Sequence, residues 1–259
     1  MYSFRNHCCE GAHPKVLQAL ADTNLEQTVG YGMDPRCQAA AGLIRRLCAA
    51  PEAGIHFTVG GTQTNLLVIA SLLRPYEAVI AAHTAHVNVH ETGAIEATGH
   101  KVCTVVSPDG KLTPEQVESV VNGHSTEHMV LPRLVYISNT TEVGTIYTKA
   151  ELQALRDCCD KHGLFLFLDG ARLGSALTAE GSDLTLPDLA ALTDAFYIGG
   201  TKNGALFGEA VVMNVPNEHF RWHMKQRGAV LAKGRLLGLQ FQALLEDGLY
   251  FDLARHANE

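Results

Sequence analysis

Leu164-Phe165-Leu166-Phe167-Leu168, running straight into Asp169-Gly170-Ala171-Arg172, decides the fold. Five apolar residues without polar alternation read as a strand buried on both faces, as in a parallel sheet covered by helices. Asp169 closes the run at its carboxyl end, where open α/β sheets bind ligands. Downstream, the apolar run Ala195 to Ile198 stops at Gly199-Gly200. Thr201-Lys202-Asn203-Gly204 follows, and Gly208 precedes a second apolar run, Ala210 to Met213. An ammonium between two buried strands is costly, and burial lowers a lysine pKa until the amine can form a Schiff base. On this stretch alone, a surface lysine on a glycine turn is the equal alternative. The carboxylate upstream shifts the balance. Pyridoxal phosphate needs a lysine for its aldehyde and a carboxylate for its pyridinium nitrogen. Lys202 and Asp169, 33 residues apart at two strand ends, have the chemistry for both.

A chain of 259 residues buries a large core as one big domain, or as one domain with part of another. Its apolar fraction of 46% and charged fraction of 18% are those of a soluble globular protein. A net charge of −7 leaves no basic stripe, which excludes nucleic acid as the expected partner. Seven cysteines, an odd number, make no disulfide framework, and the sequence carries neither a signal peptide nor a membrane-length apolar run. A cytoplasmic protein with reduced thiols is expected.

Strands and helices alternate along the chain. Residues 1–14 read as an extended arm, and a helix follows from Lys15. Gly30-Tyr31-Gly32-Met33-Asp34-Pro35 is a loop, and a helix covers about Arg36 to Ala49. Ile55 to Val59 is a strand, then Gly60-Gly61-Thr62-Gln63-Thr64-Asn65 leads into a helix from Leu66 to Leu73. Glycines and hydroxyls before a helix make an anion cradle, although a plain helix cap needs the same residues. The strand Val79 to Ala82 delivers His83, His86, His90 and Glu91. His86 and His90, four apart, could share a helix face and grip a metal, with His83 or Glu91 as a third ligand. With no distal ligand in view, no metal is expected, and one histidine stacking on a flat cofactor is the competing reading. Lys101 to Val106 and Leu134 to Ser138 are further strands. Thr113 with Gln116 and Thr148 with Glu151 are capping boxes that open helices. The expected architecture is α/β: a three-layer α/β/α arrangement around a mostly parallel sheet.

Gly60-Gly61-Thr62-Gln63-Thr64-Asn65, His86-Val87-Asn88-Val89-His90-Glu91-Thr92-Gly93-Ala94, Phe167-Leu168-Asp169-Gly170-Ala171-Arg172 and Gly199-Gly200-Thr201-Lys202, in this order, resemble the threonine aldolase family. The similarity is to its low-specificity L-threonine members and covers nearly the whole chain. It implies a pyridoxal phosphate enzyme with the large domain of the aspartate aminotransferase fold (fold type I). It further implies retro-aldol cleavage of L-threonine, L-allo-threonine and related β-hydroxy-α-amino acids to glycine and an aldehyde. Lys202 would bind the cofactor aldehyde and Asp169 its ring nitrogen. His86 would stack on the ring and act as a candidate base. Gly61, Thr62 and Gln63 would cradle the phosphate. Arg172 would bind the substrate carboxylate, with Tyr31 lining the site, in many relatives from the partner subunit of a homodimer or homotetramer. Thr141 stands where many members carry a second active-site histidine, and His7-Cys8-Cys9 replaces an Asp-Tyr-Ser arm. The expected division is an arm over 1–14, a cofactor-binding domain over 15–215, and connecting helices over 216–259. Those helices lead to a small C-terminal domain that is largely missing. Other pyridoxal phosphate chemistry (β-elimination, racemisation, transamination) uses the same lysine, aspartate and phosphate loop, and a non-catalytic remnant of the fold is the reading from another class.

Overall fold

The computed structural model describes residues 9–259. Most of the expected arm, including His7 and Cys8, lies outside them. Seven strands form one sheet: β1 (Gly54–Thr58), β2 (Glu77–Ala82), β3 (Val102–Val105), β4 (Leu131–Ser138), β5 (Phe165–Asp169), β6 (Ala195–Gly199) and β7 (Glu209–Met213). Their order is β1-β7-β6-β5-β4-β2-β3. β6, β5, β4, β2 and β3 run parallel, and β7 is antiparallel to both of its neighbours. The mostly parallel sheet read from the sequence is therefore the one observed, with a reversed strand near one edge.

Alternate side chains of each strand enter two separate cores. Leu166 and Leu168 of β5 face one side, with Ile80, Val135 and Phe196, while Phe167 faces the other with Val79, Tyr136 and Tyr197. The first side is covered by α1 (Pro14–Asp22), α2 (Pro35–Leu47), α5 (Pro114–Gly123), α6 (Lys149–His162), α7 (Leu173–Thr178), α8 (Leu186–Leu192), α10 (Arg235–Leu245) and α11 (Leu249–Asn258). The second is covered by α3 (Gly61–Leu72), α4 (His86–Val89) and α9 (Phe220–Gln226). That makes three layers. Both capping boxes form, at Thr113–Gln116 and Thr148–Glu151, with a third at Thr185–Asp188 ahead of α8. Burial pushes the Cys48 and Cys159 thiols up to about 12, so these cysteines serve as small apolar packing groups.

Two readings of the sequence need correction. Residues 61–65 are not a loop before a helix but the first turn of α3 itself. Likewise α4 ends at Val89, with His90 as its cap, so no continuous helix carries both His86 and His90. The chain enters the helix only after Ala85, its cap, and by Thr92 the backbone is left-handed, with φ of 53°.

The carboxyl ends of β5 and β6 approach closely enough to require glycine. A Cβ on Gly170 would lie 1.7 Å from the Tyr197 carbonyl oxygen, and one on Gly199 would lie 2.5 Å from that of Ala171. The amide of Gly199 donates to the Gly170 carbonyl at 3.0 Å, tying the two strand ends together. Gly170→Ala is expected to destabilise by at least ~2 kcal/mol, because backbone has to move to admit the methyl group. Gly123→Ala, where the added carbon meets nothing within 4 Å, should stay within about 0.5 kcal/mol of wild type. Urea unfolding of both variants measures the contrast, and equal midpoints would refute it.

Candidate active site

β5 and β6 end on the floor of a cleft of about 150 Å³, lined among others by Gly61, Thr62, His86, Asp169, Arg172 and Lys202. Six of the eight residues singled out by the sequence thus meet in one cavity. The two exceptions are Gln63 and Tyr31. Gln63 turns its side-chain carbonyl to the Val59 amide at 3.2 Å, closing the turn below the cleft. Tyr31 lines a different cavity with Arg45, His56 and Arg221. Its backbone is left-handed, with φ of 63°, held by the Ala232 carbonyl and by Arg221, and its ring is half exposed.

Asp169 is the most constrained group on the floor. Its Oδ2 accepts from Tyr136 Oη at 2.5 Å and from Asn65 Nδ2 at 3.0 Å; its Oδ1 accepts from Tyr197 Oη at 2.5 Å and from the Ala171 amide at 2.9 Å. Burial and the Asp169 charge drive both tyrosine pKa values far above their usual range, so both hydroxyls stay donors. The wall opposite is built on His86. Its Nδ1 lies 2.7 Å from Glu91 Oε1, which also accepts from Asn65 Nδ2 at 2.7 Å, so Asn65 joins the two carboxylates. Donation from Nδ1 leaves the lone pair on Nε2. The His86 amide donates to Glu142 Oε1, which also accepts from Ser138 Oγ. Five further polar lining residues, Ser138, Glu142, Tyr197, Thr201 and Glu209, were given no site role by the sequence reading.

Pyridoxal phosphate fits these residues. α3 begins at the cleft with no side chain capping it, so its first amides, at Gly61 and Thr62, point a positive helix end at the cavity. A Cβ on Gly61 would sit 3.1 Å from Tyr197 Oη, a tight contact that glycine avoids where the helix start meets the floor. Asn65 Oδ1 and Glu91 Oε2 are buried without a hydrogen-bond partner beside His86 and Asp169. Asp169 lines the same cleft and is the carboxylate that a ring nitrogen would meet there. His83, His86, His90 and Glu91 do not converge on a common point. Among the described residues the group that does is Glu118, Cys158 and His162, on α5 and α6, where Glu118 already pairs with Lys161.

The beta-eliminating lyase family model matches residues 10–255. The chain belongs to that family. Within it, the chain is 36% identical over 252 residues to the low specificity L-threonine aldolase of a Pseudomonas strain, a match covering 96% of this chain and 72% of that one. The corresponding Pseudomonas aeruginosa enzyme is 33% identical over the same shares. The solved structure of Leishmania major threonine aldolase superposes with a TM-score of 0.97 at 55% identity, covering all of this chain and 76% of its own. Thermus thermophilus aspartate aminotransferase, at 18% identity and a TM-score of 0.73, shares the fold over 96% of this chain and 66% of its own. This family member is a pyridoxal phosphate-dependent lyase of fold type I. No helix among its described residues is long and apolar enough to cross a membrane.

Glu209 gives the cleft a pH signature. Burial raises its carboxyl pKa from 4.5 to about 8. A carboxyl whose folded-state pKa is raised contributes stability that is fully present below its unfolded pKa and is lost as the pH rises through the folded one. The melting temperature of wild type minus that of Glu209→Gln should therefore fall steadily between pH 5 and pH 8. A flat difference over that window in thermal melts would show that Glu209 does not titrate as a buried acid.

Proposed function

We propose that this chain cleaves L-threonine, L-allo-threonine and related β-hydroxy-α-amino acids between Cα and Cβ, releasing glycine and an aldehyde. The observation that carries this reading is that Lys202, Asp169 and the uncapped start of α3 line one cavity. The relatives' shared name, low specificity L-threonine aldolase, supports the substrate class.

Bound pyridoxal phosphate supplies an aldehyde for the substrate amine and an electron-poor ring that holds the charge left on Cα. The rest falls to the chain. Lys202, on the turn between β6 and β7, offers the amine that holds the cofactor and gives way to substrate. Asp169 keeps a proton on the ring nitrogen, and the two tyrosines and Asn65 keep Asp169 in place. Gly61 and Thr62 take the phosphate on the α3 amides. Arg172 binds the substrate carboxylate as an ion pair. His86 Nε2, oriented by the bond between Nδ1 and Glu91, accepts the β-hydroxyl proton as the Cα–Cβ bond breaks. Thr141, at the place of a second histidine in many relatives, hydrogen-bonds Thr145 instead, which leaves His86 as the histidine in the cleft.

The position of Tyr31 supports a homo-oligomer. It is half exposed, rigidly held and turned away from its own chain's cleft, as expected of a residue that completes a neighbouring copy's site. The chain is proposed to work in the cytoplasm, with residues past 215 linking the cofactor-binding domain to a smaller one.

Protein incubated with pyridoxal phosphate should gain a visible-edge absorbance band that borohydride abolishes, with the reduced adduct on the Lys202 peptide. With L-threonine it should release glycine and acetaldehyde; ammonia and a keto acid would instead indicate β-elimination. Lys202→Ala should lose the band. Asp169→Ala should lower kcat by roughly 100-fold or more, as loss of an electrostatic stabiliser does, and normal turnover in that variant would refute the role given to Asp169.

A further inference from the structure

Glu209 lines the cleft beside Lys202, and the proposed reaction gives it no task. It is the first residue of β7, paired with Gly199 on one side and Thr58 on the other, and only 3% exposed. Burying a carboxyl this completely is costly unless its oxygens are engaged. They are engaged on the lysine turn. Oε2 accepts from the Gly200 amide at 3.0 Å and Oε1 from Thr201 Oγ1 at 2.8 Å. Thr201 Oγ1 in turn accepts from the Gly208 amide at 2.9 Å, while the Gly200 and Thr201 amides also donate to the Gly208 carbonyl. The residue after Thr201 is Lys202. One side chain therefore closes the base of the turn that presents the amine.

The charges around Glu209 are few. Lys202 attracts its carboxylate and Asp169 repels it; Tyr197 from β6 and Tyr250 from α11 face it, both held protonated by burial. The cation that favours ionised Glu209 is thus the reactive lysine. Coupling between two sites is reciprocal, so whatever Lys202 does to the Glu209 proton, Glu209 does equally to the Lys202 proton.

We infer that Glu209 is a positioning residue for Lys202, fixing the lysine turn through Gly200 and Thr201 and stabilising the protonated amine by its charge. This rests on Lys202 being the reactive amine proposed above. Glutamate thereby does two things that oppose one another. It keeps the amine in place, and it makes the amine harder to deprotonate while no cofactor is bound. When the amine is used up in binding the cofactor aldehyde, the attraction weakens and Glu209 takes a proton more readily.

The test is made on cofactor-free protein. Competitive acetylation of Lys202 as a function of pH, read on its peptide by mass spectrometry, gives the titration midpoint of that amine. Glu209→Gln, which retains a carbonyl for the Gly200 amide, is expected to lower the midpoint by at least ~0.5 unit, as removal of a nearby opposite charge does. Glu209→Asp, which keeps the charge, should recover most of the shift. A purely structural role would leave the midpoint where it is, so an unmoved midpoint in folded Glu209→Gln overturns the inference. If Glu209→Gln does not fold, Lys202→Met answers the same question from the other side. Followed by carbon NMR, the Glu209 carboxyl should then titrate at higher pH than in wild type, and an unchanged value overturns the inference. Both titrations are read without cofactor or substrate. Failure of the proposed reaction would leave them intact, and an unmoved midpoint would remove the role of Glu209 with the reaction standing.

Discussion

Everything at the cleft depends on holding one carboxylate, Asp169, in a dry place at a fixed angle. The four donors that do so come from four parts of the chain: Asn65 in α3, Tyr136 in β4, Tyr197 in β6 and the amide of Ala171 just past β5. A buried ionised group without such partners would shed its charge or disrupt the fold. With them, the aspartate becomes the point at which two sheet strands and a helix are fastened together. Asn65 extends the arrangement to Glu91, and Glu91 to the His86 ring. The floor and the wall of the cavity are therefore a single hydrogen-bonded unit, and a disturbance at either end is felt at the other.

The strand ends contribute by coming close. Gly170 and Gly199 allow β5 and β6 to touch backbone to backbone where any side chain would force them apart. That approach brings a residue at the tip of one strand and a residue on the turn after the next into a shared cavity. The apolar alternation behind it supplies the rigidity, with Leu166 and Leu168 anchored in one core and Phe167 in the other.

Much of this could be read from residues alone. The unbroken apolar run before Asp169 signalled a strand covered on both faces, the glycines and hydroxyls of 60–65 an anion cradle, and the glycine pair at 199–200 the end of a strand just before Lys202. What escaped the reading has a common cause. Tyr136, Tyr197 and Glu209 look like ordinary strand residues, because nothing in a linear sequence says that neighbouring strands aim them at the same carboxylate or turn. Nor does it say that the Gln63 side chain meets the Val59 amide or that Tyr31 stands at a cavity separate from its own chain's cleft. The extent of α4 was missed for a related reason, since a histidine spacing of four fits a helix equally well whether or not the helix continues.

The reversed strand β7 has one more consequence. Gly199, Glu209 and Thr58 lie in a single transverse row across β6, β7 and β1. The first stands three residues before the lysine, and the last three residues before the start of the helix that offers its amides to an anion. Although Thr58 and Glu209 are 151 positions apart in the chain, this row works as a ruler between the amine and the anion seat. Insertions or deletions in the surface connections after β2, β3 or β4 would change the outline of the molecule and leave that span untouched.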